Sequence, residues 1–244
     1  FCERHDIPTD VCGKVIVATR SDEIERLRGL EDRSKQHGLD TTWLTRAQLR
    51  DREPNVEGLA ALLVPEAGIT DYVAMCRALV EEIEANGGEV LFDTPVESIS
   101  ESTGGVTLRT SKGALRSNTM INCSGLHSDR VAQMAGRKTK ARIMPFRGEY
   151  FELTPSARSL VKHLVYPVPD PRFPFLGVHF TRMIDGEIHA GPNAVVALAR
   201  EGYTWRIANK VDLREMALDK GSWILAKKDW RTGAGEKVRS ISKA

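Results

Sequence analysis

The sequence has little of what marks a membrane protein, a secreted disulfide scaffold or a metal protein. No apolar run approaches the roughly 20 residues that a membrane-spanning helix needs. Only four cysteines are spread over 244 residues, so free thiols in a reducing cytoplasm are expected rather than disulfides. Cys2 and His5 form an isolated C-x-x-H without a second ligand pair, and no metal is predicted. The chain opens on Phe1, without an initiator methionine or the apolar segment of a signal peptide, which suggests a fragment.

An excess of charge of either sign is also missing. The 35 Lys and Arg residues against 33 Asp and Glu residues give a net charge of +2, and the two signs are interleaved along the chain. This pattern lacks the basic block typical of nucleic-acid-binding proteins, so no nucleic-acid partner is predicted.

The short motifs of self-contained catalytic and nucleotide-binding domains are absent as well. The sequence has no P-loop, no G-x-S-x-G, no H-E-x-x-H and no C-x-x-C. No G-x-G-x-x-G follows a predicted strand, which is the position where it would hold a dinucleotide pyrophosphate. A nucleotide site that is complete within these residues is therefore not expected.

Hydrophobic periodicity and turn residues predict a mixed α/β chain with two sheets. Helices are predicted at Ser21–His37, Thr45–Arg52, Asp71–Asn86, Ser128–Ala135 and Asp212–Leu218. Ser21 and Thr45 are the predicted N-caps of the first two helices. Strands are predicted at Val11–Thr19, Leu59–Val64, Glu89–Asp93, Pro95–Glu101, Gly105–Thr110, Ala114–Ser117, Thr119–Cys123, Arg142–Leu153, Leu164–Tyr166, Phe175–Arg182 and Glu187–Ala190. Glycine turns join the three strands between Pro95 and Ser117 into a predicted meander.

The segment Tyr166–Asn193 combines a stiff loop with strands that carry cations. Four of its first nine residues are prolines, which exclude a helix interior or a central strand there. The strands that follow carry Arg172, His179, Arg182 and His189, a set that suits a small anionic substrate. An edge loop and a hairpin whose charges face water is the alternative, because most exposed charges are simply solvated.

Two further positions are candidates for ligand contact. In MINCSGLHSDRVA, the small residues Cys123, Ser124 and Gly125 between a predicted strand and a helix allow close backbone approach by a cofactor, or serve ordinary strand-to-helix packing. In PFRGEY, Arg147 interrupts an apolar strand. It is suited to bidentate recognition of a carboxylate, with a structural ion pair, for instance to Glu149, as the alternative.

Several segments together resemble one enzyme family. They are Cys12–Thr19, Pro65–Asp71, NCSGLHSDRVA, PFRGEYF, HLVYPVPDPRFPFLGVHFTRMIDG and GPNAVVALAREGY. They resemble the L-2-hydroxyglutarate oxidase/dehydrogenase family, a branch of the D-amino-acid-oxidase-like FAD-dependent oxidoreductases. The resemblance covers nearly the whole chain. It implies an α/β fold of α+β character, in which residues 1–69 and 139–244 build a substrate domain with a mostly antiparallel sheet. Residues 70–138 would form a partial FAD-binding domain with parallel strands and the three-stranded meander.

The resemblance also assigns candidate contacts to the cofactor and to the substrate. Val96 matches a strand whose backbone faces the FAD adenine, and Cys123, Ser124 and Gly125 match a turn that contacts FAD through its backbone. The residues that fall on the family's substrate sheet are Arg147, Tyr166, His179, Arg182 and Asn193. The family's N-terminal G-x-G-x-x-G and its C-terminal flavin-closing segment have no counterpart here. FAD is therefore expected in the complete enzyme, while this chain alone is expected to be colourless and inactive.

The implied reaction is the oxidation of L-2-hydroxyglutarate to 2-oxoglutarate, with hydride transfer from C2 to the flavin. His179 is the predicted base, because an imidazole accepts a proton near neutral pH. Arg147 and Arg182 are predicted to hold the two carboxylates, and Tyr166 and Asn193 to orient the substrate. Because His179 and Arg182 are three positions apart on one strand, at most one of them is expected to face the ligand unless a bulge intervenes, and His179 is favoured.

Alternatives to this function stay open from the sequence. One is FAD-dependent oxidation of another 2-hydroxy acid, of glycerol 3-phosphate or of an amino acid, and another is a non-catalytic truncated domain. The expected partner is a small dicarboxylate substrate. The electron acceptor is open between oxygen, a quinone and another protein, and a homo-oligomer is a further option. The expected location is the cytoplasm, with peripheral attachment to the inner membrane as the alternative.

Overall fold

The protein is seen in a computed structural model that describes residues 1–139, 141–171, 177–224 and 227. The chain divides into two compact units that are interleaved along the sequence. Unit 1 comprises Phe1–Ala85 and Gly148–Ala194, and unit 2 comprises Asn86–Arg147 and the described residues from Val195 onward. Arg172 and the first residues of the predicted strand Phe175–Arg182 lie outside the described residues.

The strands of the described ranges, β1 to β12 in chain order, are Thr9–Asp10, Lys14–Ala18, Thr42–Thr45, Ala60–Val64, Ile69–Thr70, Val96–Ser102, Gly105–Thr110, Gly113–Ser117, Phe146–Glu152, Leu164–Pro167, His179–Arg182 and Ile188–Val196. The α-helices, α1 to α5, are Ser21–Gln36, Arg46–Arg52, Tyr72–Ala85, Ser128–Met134 and Lys210–Leu218. No helix in the described ranges combines the length and the hydrophobicity needed to span a bilayer.

Unit 1 is organised by a mixed sheet of seven strands in the order β3-β4-β2-β10-β11-β12-β9. Strands β2 and β10 run parallel, with Lys14 opposite Leu164 and Ile16 opposite Tyr166. The pairs β3–β4, β4–β2, β10–β11 and β11–β12 are antiparallel. The expected substrate sheet, mostly antiparallel within an α/β fold, is therefore confirmed.

Alternation along these strands sends side chains to two different cores. On one face Val15, Val17, Val165 and Ile188 form a buried cluster, with Phe180 packed against it. On the other face Ala18 and Leu62 pack with Leu27 of α1. Because residues two apart share a face, Lys14, Ile16 and Tyr166 belong to the α1 face.

Local capping explains where the helices of unit 1 begin. Thr45 accepts a hydrogen bond from the Gln48 amide at the start of α2, as predicted for an N-cap threonine. The predicted N-cap of α1, Ser21, is wrong. Arg20 holds that position, because the Glu23 carboxylate turns back to accept from the Arg20 amide at 3.1 Å.

Unit 2 contains the antiparallel meander β6-β7-β8 and the helices α4 and α5. The meander is confirmed, with Val106 opposite both Glu101 and Ser117. The strands predicted at Glu89–Asp93 and Thr119–Cys123 do not form, and no parallel strand pair is seen in the described part of unit 2. A strand requires a hydrogen-bonded neighbour, and none of the described strands lies beside these two apolar runs. Ile121, in the second run, is 83% exposed.

Candidate active-site residues

The side chains of Tyr166 and His179 form an aromatic stack on neighbouring strands of unit 1. Strands β10 and β11 pair through Val165 and Phe180, so that Tyr166 and His179 both point away from the Val165 core. Their ring centroids are 4.1 Å apart and the ring planes are inclined by 21°. His179 is buried, with 6% of its surface exposed. The stack therefore fixes the imidazole plane on the face of the sheet that carries Tyr166.

A backbone contact selects the tautomer of His179. Its Nδ1 lies 3.0 Å from the Gly177 carbonyl oxygen. A carbonyl only accepts hydrogen bonds, so Nδ1 carries the proton that it donates to this oxygen. In the neutral ring the other nitrogen, Nε2, then keeps its lone pair and is the atom that can accept a proton.

Tyr150, which the sequence did not single out as a ligand contact, completes this aromatic cluster. The Tyr150 ring meets His179 edge-on, with centroids 6.4 Å apart and planes at 79°, and lies 6.3 Å from His189. Burial raises the pKa of Tyr150, and the nearby Tyr166 raises it further. Gly191 makes room for the Tyr150 ring, because a Cβ at that position would lie only 2.6 Å from Tyr150 Cδ1.

Asn193 lies on β12, the strand that pairs with the His179 strand. Gly191 is directly opposite His179, and Asn193 is two positions further along β12. Its side chain is buried, with 5% of the residue exposed. None of the described residues forms a hydrogen bond with its side-chain amide. An amide that has no hydrogen-bond partner among the described residues is suited to bind a polar ligand atom.

Lys14 extends the row of rings at its other end. Its Nζ lies 4.8 Å from the centroid of the Tyr166 ring, within the range of a cation–π contact. The Tyr166 ring therefore contacts both the Lys14 ammonium and the His179 imidazole, whose ring centroid lies 4.1 Å from its own. The row Lys14–Tyr166–His179–Tyr150 brings together residues from four strands of the sheet.

Arg182 does not join this cluster. It alternates to the face opposite His179, donates from Nη1 to the Lys162 carbonyl oxygen at 2.7 Å, and lies 3.6 Å from the Asp10 carboxylate. His179 and Arg182 therefore lie on opposite faces of the sheet, and the expectation that at most one of them faces the ligand stays a prediction.

Arg147 belongs to unit 2 and is tied to other residues there. It is 8% exposed, donates from Nη1 to the Gly202 carbonyl oxygen at 2.9 Å, and its guanidinium lies 4.7 Å from the Trp205 ring centroid. These contacts give Arg147 structural partners, and its role as a carboxylate clamp stays a prediction.

The four predicted cofactor contacts all lie in unit 2. Val96 begins β6, and Cys123, Ser124 and Gly125 form an exposed turn before α4. Apart from the two neighbours of Gly125 in the chain, no described residue comes within 4 Å of a Cβ placed on Gly125, so its backbone is open to a ligand. The Asn122 side chain braces the turn. Its Oδ1 accepts from the Ser124 amide at 3.1 Å and its Nδ2 donates to the Ser128 carbonyl at 2.8 Å.

A buried ion cluster holds the helix that follows this turn. The guanidinium of Arg200 binds both carboxylate oxygens of Asp129 and donates to the Leu126 carbonyl at 2.6 Å. The bond from Arg200 lowers the pKa of Asp129 to about 2 against the opposing effect of burial. Arg130 binds Asp212 and Glu215 of α5. These contacts join α4 and α5 within unit 2.

A comparison with known families places the chain among flavin enzymes. Residues 1–222 match the family described as DAO, FAD dependent oxidoreductase, and the chain belongs to that family. The resemblance drawn from the sequence motifs is thereby confirmed.

Curated relatives that match nearly the whole chain carry one name. The L-2-hydroxyglutarate dehydrogenases of Salmonella houtenae and of Escherichia coli (strain K12) are 43% and 42% identical over 100% of this chain. The mitochondrial L-2-hydroxyglutarate dehydrogenase of Caenorhabditis elegans is 40% identical over 99% of it. The chain spans 58%, 58% and 57% of the lengths of these three proteins.

Solved structures share the fold at lower identity. The L-proline dehydrogenase from P. horikoshii superposes with a TM-score of 0.71 and 19% identity, covering 93% of this chain and 58% of that one. The L-alpha-glycerophosphate oxidase from Mycoplasma pneumoniae, with FAD bound, gives a TM-score of 0.71 and 23% identity, covering 83% of this chain and 55% of that one.

The structure therefore brings together part of the predicted substrate set. Tyr166, His179 and Asn193 lie on adjacent strands of unit 1, whereas Arg182 points to the opposite face. Sequence reasoning missed Lys14 and Tyr150, whose signal is only visible once the strands are paired. Alternation on β2 and β9 would have offered both as candidates if the strand order had been known.

Proposed function

We propose that the complete protein oxidises L-2-hydroxyglutarate to 2-oxoglutarate with FAD. The observation that carries this proposal is the His179 imidazole, stacked on Tyr166 and fixed by the Gly177 carbonyl so that Nε2 is its proton-accepting atom. The family match and the shared name of the relatives support the reaction class and the substrate.

The turn Cys123–Gly125 is compatible with the cofactor. Its side chains are small or absent, its backbone is exposed, and Gly125 has open space where a Cβ would stand. We assign backbone contacts with FAD to this turn and to Val96, as the resemblance implies. FAD, when bound, supplies the acceptor for the two electrons and the hydrogen of C2.

His179 removes the proton of the substrate hydroxyl at Nε2 and holds it while the carbonyl forms. Tyr166 keeps the imidazole in the required plane, and the buried Asn193 amide binds a polar oxygen of the substrate. Arg147 remains a proposed ligand of one substrate carboxylate on the strength of the resemblance alone, since it has other partners in the structure. Arg182, the other predicted carboxylate ligand, lies on the face of the sheet opposite His179 and donates to the Lys162 carbonyl oxygen. The base contributes roughly 100- to 10,000-fold to the rate in enzymes of this kind.

The test uses the protein expressed from its complete gene and loaded with FAD. His179→Ala is compared with His37→Ala, a change at the exposed C-terminal end of α1. Anaerobic stopped-flow absorbance should show flavin reduction by L-2-hydroxyglutarate slowed at least about 100-fold by His179→Ala and unaffected by His37→Ala. Near-normal flavin reduction in His179→Ala would contradict the assignment.

The finer alternatives are separated by simple measurements. A screen of L-2-hydroxy acids, amino acids and glycerol 3-phosphate, followed by flavin bleaching, identifies the substrate. Comparison of oxygen with a soluble quinone identifies the acceptor. Sedimentation with liposomes and light scattering test peripheral membrane attachment and a homo-oligomer. If this chain alone purifies yellow with about one flavin per protein, the expectation that it is colourless is wrong.

A further inference from the structure

The ammonium group of Lys14 lies beside the candidate catalytic stack, and no carboxylate among the described residues pairs with it. Its Nζ lies 4.8 Å from the centroid of the Tyr166 ring. No ion pair joins Lys14 to any carboxylate in the described part of the chain. An unpaired ammonium held over an aromatic ring is poised to bind an anion, since its charge is not yet satisfied.

The fold fixes the position of this ammonium relative to His179. Lys14 is the first residue of β2, which pairs in parallel register with β10, the strand that carries Tyr166. His179 stacks on that same Tyr166 ring at 4.1 Å. One phenol ring therefore connects the cation to the candidate base, and all three residues belong to unit 1.

The two arginines first assigned to the substrate carboxylates already bind other groups of the protein. Arg182 lies on the opposite face of the sheet, bound to the Lys162 carbonyl and close to Asp10. Arg147 belongs to unit 2 and donates to the Gly202 carbonyl. Between Lys14 and Arg182, which both lie in unit 1, Lys14 is the one that shares the face and the aromatic row of His179.

We propose that Lys14 is a specificity-determining residue that binds the second carboxylate of a dicarboxylate substrate. This inference rests on the proposed function. With the hydroxyl of the substrate at His179, a carboxylate three carbons beyond the reacting carbon extends along the edge of Tyr166 toward the Lys14 ammonium. The site selects a 2-hydroxy diacid over a 2-hydroxy acid whose chain ends in a methyl group.

The test compares two substrates of equal carbon number in the FAD-loaded protein expressed from its complete gene. L-2-hydroxyglutarate carries the second carboxylate, and L-2-hydroxyvalerate lacks it. Lys14→Met should lower kcat/KM for the diacid by about 10- to 100-fold, the usual effect of losing one charged hydrogen bond. The same change should leave kcat/KM for the monoacid nearly unaltered, and Lys14→Arg should restore most of the preference for the diacid.

Two controls make the outcome decisive. Lys35→Met removes a lysine of α1 that pairs with Glu31 at the surface, and it should change neither substrate. Calorimetric binding of glutarate and of valerate, neither of which reacts, reports on the carboxylate site without turnover. Lys14→Met should weaken glutarate binding and leave valerate binding unchanged.

An equal fall for both substrates in Lys14→Met would overturn the proposal, because it would show that the lysine merely supports Tyr166. Unchanged kinetics for both, or equal binding of glutarate by wild type and Lys14→Met, would overturn it as well. If the wild type fails to oxidise L-2-hydroxyglutarate, the proposed function fails, but glutarate binding still decides the role of Lys14. Failure of the wild type to bind glutarate would reject that role too.

Discussion

Arg200 and Asp129, which are 71 residues apart in the chain, form a buried ion pair with two hydrogen bonds between guanidinium and carboxylate. The pair fastens the first turn of α4 to the segment that precedes α5. Arg200 also donates to the Leu126 carbonyl, immediately after the turn assigned to FAD. The shape of that turn is thus supported from within unit 2.

We expect Asp129→Asn to destabilise the protein by about 3–5 kcal/mol, because it leaves the buried Arg200 without its main counter-charge. Urea unfolding followed by tryptophan fluorescence measures the change. Asp22→Asn provides the control, since Asp22 is an exposed partner of Arg20 and its loss should hardly move the midpoint. Equal midpoints for Asp129→Asn and the wild type would show that the pair adds no stability.

The same carboxylate predicts a pH dependence of stability. The pKa of Asp129 is about 2 in the folded protein, below its ordinary value of 3.8, because Arg200 binds the ionised form. Between these two pKa values the unfolded state therefore binds more protons than the folded state. The stabilisation that ionised Asp129 gives to the folded protein is complete above about pH 4 and is lost as the pH falls toward 2. The free energy of unfolding should fall more steeply between pH 4 and pH 2 in the wild type than in Asp129→Asn. Parallel curves would assign the acid sensitivity to other groups.

A Cβ added at Gly191 should disturb the aromatic cluster. It would lie 2.6 Å from Tyr150 Cδ1 and 2.8 Å from the Glu149 carbonyl oxygen. Gly191→Ala is expected to cost about 1–3 kcal/mol through overpacking. Gly29→Ala in α1 has nothing within 4 Å and should instead stabilise by about 0.5–1 kcal/mol. Thermal unfolding of both variants checks the contrast, and stabilisation by both would mean that Tyr150 moves aside freely.

Tyr166 is expected to act through its ring. Tyr166→Phe keeps the stack on His179 and should retain kcat within about fivefold, whereas Tyr166→Leu removes the aromatic face and should lower kcat by about 10- to 100-fold through misplacement of the base. Steady-state kinetics with L-2-hydroxyglutarate distinguish the two variants. An equally large loss in Tyr166→Phe would assign the effect to the hydroxyl group.

Local sequence patterns predicted the elements that depend on local interactions. The helix at Tyr72–Ala85, the N-cap at Thr45 and the meander of unit 2 follow from periodicity, capping and glycine turns. The runs Glu89–Asp93 and Thr119–Cys123 looked like strands because of their apolar residues, but strand formation depends on a neighbour that composition does not reveal.

The candidate site was predictable only in part. His179 and Tyr166 were reached through the resemblance, and their stack follows from the pairing of β10 with β11. Lys14 was not predicted as a site residue, because its approach to Tyr166 depends on a parallel strand pairing between residues 152 positions apart in the chain. The pairing of Asp129 with Arg200 was not predicted, because it joins residues 71 positions apart and depends on the packing of unit 2.

The parallel pairing of β2 with β10 also means that β2 is synthesised long before the strand it pairs with. Strand β2 ends at Ala18, and its neighbour begins at Leu164. At typical translation speeds the ribosome needs on the order of ten seconds to make the intervening residues. During that time the β2 edge that will pair with β10 is open to other chains. Until residues beyond 164 emerge, this edge of β2 is therefore a place where one incomplete chain can pair with another.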